Sequence, residues 1–167
     1  MFFLSFIFGK NYILKHLFKV ALNWIKKEPS TDRTTKFYSK SHHILIDGKP
    51  KLDVSAAKAF KGNPNLYNPE DLLLSSLTSC HMMSYLYCCT QHKIDVSSYT
   101  DNSEATLVVN PDGSGKIVHV NLFPEVVIAD STQVELAVSL HKKANELCFL
   151  ANSCNFPVYH YAKCTAK

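Results

Sequence analysis

Arginine is nearly missing from this chain: of 18 basic side chains in 167 residues, Arg33 is the single arginine. Two-point grips of a planar guanidinium on phosphate or carboxylate are therefore confined to one position. No stripe of basic and aromatic residues is interleaved, so nucleic acid is not an expected partner. No Cys-x-x-Cys pair occurs among the six cysteines, which removes zinc ribbons and thioredoxin-type motifs. Their irregular spacing does not suit a disulfide scaffold either, which leaves a reducing, cytoplasmic setting as the expectation. Apolar runs are short as well: Phe2 to Phe8 falls far below the ~20 residues of a membrane helix, so no stable membrane insertion is expected. Lys10 and Lys15 follow that run where a secretory leader would put its basic residues first, and residues 1–19 read as an extension ahead of a domain over 20–167.

What the chain does have is enough apolar material for a core, 46% hydrophobic and 11% aromatic residues, with a net charge of +4 drawn partly from lysines near its ends. Its centre is the run from Asn68 to about Cys89. Asn68 is a helix cap, Pro69 suits the first turn, and Glu70 and Asp71 set negative charge against the positive end of the helix dipole. Leu73, Leu77, Cys80, Ser84 and Tyr87 fall on one stripe, while Leu72, Met83 and Leu86 cover much of the rest. The expectation is a core helix with little surface in water and a thiol in its middle. Ser75, Ser76 and Ser79 thin one side for close approach of another element.

Before this helix, Lys19–Ile25, Phe37–Ile46 and Lys51–Ser55 read as strands, the last two joined by the turn Asp47-Gly48-Lys49-Pro50. After it, Val96–Asn110 and Lys116–Ile128 form a hairpin closed by Pro111-Asp112-Gly113-Ser114-Gly115. Thr132 and Glu135 resemble a capping box for a second helix, with Leu136, Leu140, Ala144 and Leu147 at helical spacing up to about Cys148. Val158–Ala162 is the last expected strand, and Cys164 falls in a loose tail. Strands and helices do not alternate as βαβ units, so the class is α+β with mainly antiparallel sheets and two long helices.

A buried cysteine is usually a small apolar filler, and Cys88, Cys89 and Cys154 are read so. Cys154, His160 and Cys164 would be scattered by strand alternation, so no metal is expected. Cys80 and Cys148 differ, since each sits at or near the apolar stripe of one helix. If the helices bring them to disulfide distance, one thiolate could meet a peroxide and the other trap the sulfenic acid. His81 points to another side of its helix than Cys80 and reads as a hydrogen-bonded core histidine.

The motifs Asn68-Pro69-Glu70-Asp71-Leu72-Leu73-Leu74, Ser79-Cys80-His81-Met82, Glu146-Leu147-Cys148-Phe149-Leu150-Ala151-Asn152-Ser153 and Asn155-Phe156-Pro157-Val158 resemble the OsmC/Ohr superfamily of organic hydroperoxide reductases, in particular its OsmC-like branch. The resemblance implies an intertwined homodimer with two shared sites. It implies a two-cysteine peroxidase in which Cys80 is peroxidatic, Cys148 resolving, and Glu70 holds a basic residue over the thiolate. Glu70 and Cys80 are ten residues apart, ~15 Å along one helix, so the Glu70 serving a given Cys80 is expected from the partner chain. The family's arginine has no counterpart at its usual place, which leaves Lys40, Lys61 or Arg33 as candidates. Adjacency suggests Met83, Phe149 and Phe156 as an apolar pocket for organic hydroperoxides. No cofactor is implied beyond an external dithiol reductant such as dihydrolipoamide. Two rival readings stay open: a non-enzymatic dimer that binds an apolar ligand or senses redox state, and a cysteine hydrolase pairing Cys80 with His42 or His141.

Overall fold

The computed structural model describes residues 14–26 and 38–167. Residues 1–13 of the expected extension, Phe37 at the head of an expected strand, and Arg33 lie outside the described residues. The first strands are shorter than their propensity suggests. β1 (Ala21–Asn23), β2 (His42–Leu45) and β3 (Leu52–Val54) make an antiparallel sheet, with Leu22 opposite Ile44 and Ile44 opposite Leu52. Gly48 turns the chain between β2 and β3 at φ +70°, a value few side chains tolerate. The sheet joins the body through a bridge from Val54 to Tyr67. It leaves Leu22, Ile25, Leu45 and Ile46 exposed, and with them Leu14, Leu17 and Phe18 ahead of it.

The helix α1 (Pro69–Gln91) starts as its sequence requires. The Asn68 side chain accepts from the Asp71 backbone N–H at 2.8 Å, and the Asp71 carboxylate accepts from the Asn68 N–H at 3.3 Å, so two otherwise unpaired donors are satisfied. Its buried face differs from the expected stripe. Leu77, Cys80, His81, Tyr85, Cys88 and Cys89 are buried, whereas Met83 and Tyr87 are more than half exposed. With apolar residues on every side, the sequence did not fix which face would turn inward; the sheets beneath decided it.

The long hairpin is present, yet each arm is split. β4 (Val96–Asp101) pairs with β7 (Pro124–Ile128), and β5 (Glu104–Val109) pairs with β6 (Gly115–Leu122). Asp101 makes the break. Its carboxylate accepts from the Phe123 N–H at 2.8 Å, the Ser103 hydroxyl at 2.7 Å and the Tyr99 hydroxyl at 3.4 Å, which draws the backbone out of the ladder.

The second helix, α2 (Val134–Leu147), follows a 3₁₀ turn at Ser131–Gln133. The expected capping box is replaced there: Asp130 accepts from both the N–H and the hydroxyl of Thr132, at 2.8 and 2.7 Å, because a carboxylate two residues upstream is the stronger acceptor. The final segment forms two strands where one was expected. β8 (Val158–His160) runs parallel to β6 and β9 (Lys163–Ala166) parallel to β7, since a helical crossover returns the chain in its original direction. The class is α+β with mainly antiparallel sheets, as expected, and β8 and β9 each add one parallel pairing at a sheet edge. Cys164 is likewise no tail residue: it sits in β9 against the core.

Two cores lie along α1. One packs Tyr85, Cys88 and Cys89 with Ile94, Val126, Ile128, Ala137, Leu140 and Ala144. The other packs Leu77 with Val120 and Leu122 and takes in Leu73, Cys154, Phe156 and Val158 around them. Cys88, Cys89 and Cys154 are fillers of these cores, as their sequence context suggested.

Candidate functional site

α1 and α2 meet along their buried faces in opposite directions, Cys80 against Cys148 and Tyr85 against His141. Cys148 is the residue at which α2 ends, and its backbone turns extended there with φ −72° and ψ 106°. The two thiols lie close enough for Cys80 to bear on the ionisation of Cys148, and all six cysteines are free. Their access differs: Cys80 keeps 9% of its surface while Cys148 keeps 1%, so a reagent in solution meets Cys80 first. Burial, with the neighbouring Cys80 sulfur adding to it, pushes the Cys148 thiol up to about 11. The Ala151 N–H, which donates to the Cys148 sulfur at 3.4 Å, works in the other direction. Cys148 is thus a protonated thiol at neutral pH. Its thiolate fraction is too small for first attack, yet it is well placed to respond to a change at Cys80.

Of the other expected site residues that are described, Glu70 belongs to α1 and Lys40 and Lys61 to the segment ahead of it. Glu70 stands in the first turn of α1, and its Oε2 is buried without a hydrogen-bond partner among the described residues. Lys40 reaches the Phe60 carbonyl with its Nζ at 2.5 Å, and Lys61 closes the 3₁₀ turn Lys58–Phe60 in a left-handed conformation, φ 59°. Among the described residues, the groups bearing on Cys148 are the Cys80 thiol and the Ala151 and Leu150 backbone, with no cation among them. Met83, Phe149 and Phe156 do not enclose a pocket in one chain: Met83 is 57% and Phe149 82% exposed, while Phe156 packs into the second core. An open cavity of about 560 Å³ lies instead on a neighbouring side of α1, between Ser75, Thr78, Ser79 and Met82 and the Tyr99–Ser103 segment. Thr78 donates to Ser103 there at 2.9 Å, and that hydroxyl character was not anticipated.

Neither histidine that a cysteine hydrolase would need is held against Cys80. His42 Nδ1 bonds the Lys40 carbonyl at 2.9 Å, and His141 Nδ1 is 3.0 Å from His81 Nε2. His81 is the hydrogen-bonded core histidine its position implied. Its partner, and the histidine cluster around it, were missed. His141 beside the apolar stripe of α2 was the available signal, since a buried imidazole needs a polar partner.

No functionally curated protein matches the chain. Solved structures do. An OsmC-like protein of unknown function from Vibrio cholerae is 28% identical, with a TM-score of 0.78 over 89% of this chain and 99% of that one. An organic hydroperoxide resistance protein from Legionella pneumophila is 21% identical, with a TM-score of 0.62 over 90% and 99%. The organic hydroperoxide resistance protein OhrB of Bacillus subtilis is 18% identical, with a TM-score of 0.58 over 89% and 98%. The last two establish likeness of fold. The family model for OsmC-like proteins matches residues 62–160, a span running from the loop before α1 through β8 and so containing both thiols. By that match, over more than half of its length, and by the fold it shares with these structures, the chain belongs to the OsmC-like protein family.

Proposed function

We propose that the protein is a thiol-dependent peroxidase that reduces organic hydroperoxides to alcohols. The observation that carries this reading is the contact between a slightly exposed thiol, Cys80, and a buried one, Cys148. The Cys80 sulfur attacks the terminal peroxide oxygen, the O–O bond breaks, and the alcohol leaves with a proton. Cys80 is then a sulfenic acid. Cys148 displaces its hydroxyl as water to give the disulfide, and an external dithiol such as dihydrolipoamide returns two electrons and two protons. Kinship with proteins named for organic hydroperoxide resistance supports the substrate class. A reducing, cytoplasmic location suits a protein with six free cysteines.

The working unit is a homodimer. The unpaired, buried Glu70 oxygen, the exposed apolar sheet β1–β3 and the exposed Met83 and Phe149 are the surfaces a second copy would complete. Glu70 would then hold a basic residue over the partner's thiolate, with Lys40, Lys61 or Arg33 as candidates, and Met83, Phe149 and Phe156 would line the pocket. Sedimentation at micromolar concentration is expected to show a dimer; a stable folded monomer would remove the shared site.

The direct test is consumption of cumene hydroperoxide with dihydrolipoamide as reductant. Turnover is expected, and its absence in the reduced, dimeric protein would sink the peroxidase reading. A non-enzymatic redox sensor is the second reading, favoured by the lack of a cation among the described groups bearing on Cys148. It would show one round of Cys80–Cys148 oxidation with no catalytic cycle.

A further inference from the structure

Two helical turns from Cys148, the same pair of helices is tied by a second polar contact. His81 Nε2 and His141 Nδ1 are 3.0 Å apart, and both residues are fully buried. Their rings lie edge to edge along that bond, nearly coplanar at 16°, with centroids 5.3 Å apart. His160 of β8 stacks on His81 at 5.6 Å and lies 6.2 Å from His141. Tyr85 of α1 lies flat on His141 at 3.9 Å, and Tyr99 of β4 is 6.4 Å away. Among the described residues, His81 Nδ1 and His141 Nε2 are buried without hydrogen-bond partners. As filling alone this arrangement is poor, because apolar rings of the same size would leave no orphaned polar atoms. As a latch it is specific: a hydrogen bond between facing imidazoles needs one N–H and one bare nitrogen, which fixes both rings and the helices that carry them.

We infer that His81 and His141 are positioning residues for the dithiol: their hydrogen bond sets α2 in register on α1, and thereby holds Cys148 against Cys80, the residue next to His81. The inference rests on the reading of Cys80 and Cys148 as a reacting pair. One proton between the facing nitrogens makes the bond, and a proton on each sets two donors face to face and parts the helices. His160 adds a third positive charge in acid, and Tyr85 and Tyr99, whose hydroxyls burial keeps protonated, offer no compensating negative charge. Burial and the neighbouring imidazoles resist protonation of the closed latch, so acid acts by favouring the open form. With the latch open, Cys148 no longer reaches the Cys80 sulfenic acid. A second hydroperoxide then carries that sulfur to the sulfinic acid, releasing a second alcohol.

The test measures the dithiol without peroxide. The full-length protein is equilibrated in glutathione and glutathione disulfide from about pH 8 to about pH 5, quenched, and the Cys80–Cys148 disulfide is quantified by mass spectrometry. Exchange moves no net proton while the thiols stay protonated, and an ionised Cys80 would favour the disulfide in acid. A fall in disulfide below about pH 6.5 therefore reports the histidines. The wild type is expected to lose about tenfold in the equilibrium constant toward pH 5, the size of a one-unit shift. The double variant His81→Asn/His141→Gln keeps a neutral hydrogen bond and should match the wild type at pH 7 with a flat profile. His141→Phe should be about tenfold weaker at every pH. A flat wild-type profile, or a double variant that falls like the wild type, overturns the inference even if His141→Phe fails to fold. Loss of peroxide turnover with the dithiol behaviour intact would count against the peroxidase reading alone.

Discussion

Replacing Cys80 by serine is expected to lower peroxide turnover on the order of 10³-fold or more, as loss of an attacking nucleophile does elsewhere. Serine keeps the volume and the helix but not the ionisable, polarisable sulfur, so the fold should survive while the chemistry stops. Cys148→Ser should behave differently. Cys80 would still react once, because its exposure and its attack do not depend on Cys148, but the sulfenic acid would find no resolving thiol within reach. Turnover with a dithiol would fall steeply, and the +32 Da sulfinic product at Cys80 would accumulate as hydroperoxide is added, a shift of two oxygens. Peptide mapping after one equivalent of oxidant distinguishes the cases. A dominant disulfide between Cys148 and Cys154, or an unmodified Cys80 in the wild type, would refute the assignment of roles. Cys88 and Cys89 should stay reduced, since both are buried in the apolar core, where desolvation raises their thiol pKa.

Acidification between pH 6.5 and about 4 is expected to destabilise the fold more than an ordinary chain of this size. Burial, with His160 adding to it, holds His81 down to about 4; burial, with His81 and His160 adding to it, holds His141 down to about 3. An unfolded histidine takes up its proton near pH 6.5, so below that value the unfolded state binds protons the native state refuses. The stabilisation is present in full above pH 6.5 and is lost as pH falls toward the folded values. At pH 5 each histidine accounts for about 2 kcal/mol, so the pair removes about 4 kcal/mol relative to pH 7, a large share of a typical domain's stability. Asp53, Asp112 and Asp130, whose pKa values are also lowered by hydrogen bonds, act only below the ordinary carboxylate range and leave this window to the histidines. Urea unfolding at pH 7 and pH 5 measures the difference. Equal midpoints at the two pH values would show that the rings are free to protonate in the native state.

Local chemistry was legible in the sequence, and packing was not. The start of α1 was fixed by Asn68, Pro69 and Asp71, whose capping bonds form within four residues and need no tertiary help. Gly48 and Gly113 marked turns that require φ +70° and +85°. The family was legible too, because the segments around Cys80 and Cys148 are short, continuous motifs. The inward face of α1 was not: with leucine, methionine, tyrosine and cysteine on all sides, burial of Tyr85 in place of Tyr87 depended on which sheet lay beneath. The parallel return of β8 and β9 was hidden because strand propensity carries no direction. Histidines 60 residues apart became partners only when α2 folded back along α1. Sequence alone determined the elements with local signals and the neighbourhoods of Cys80 and Cys148. Tertiary structure decided that Cys80 keeps slightly more of its surface than Cys148 and which residues of α2 face α1, since burial and long-range contact belong to the packed chain and to no residue within it.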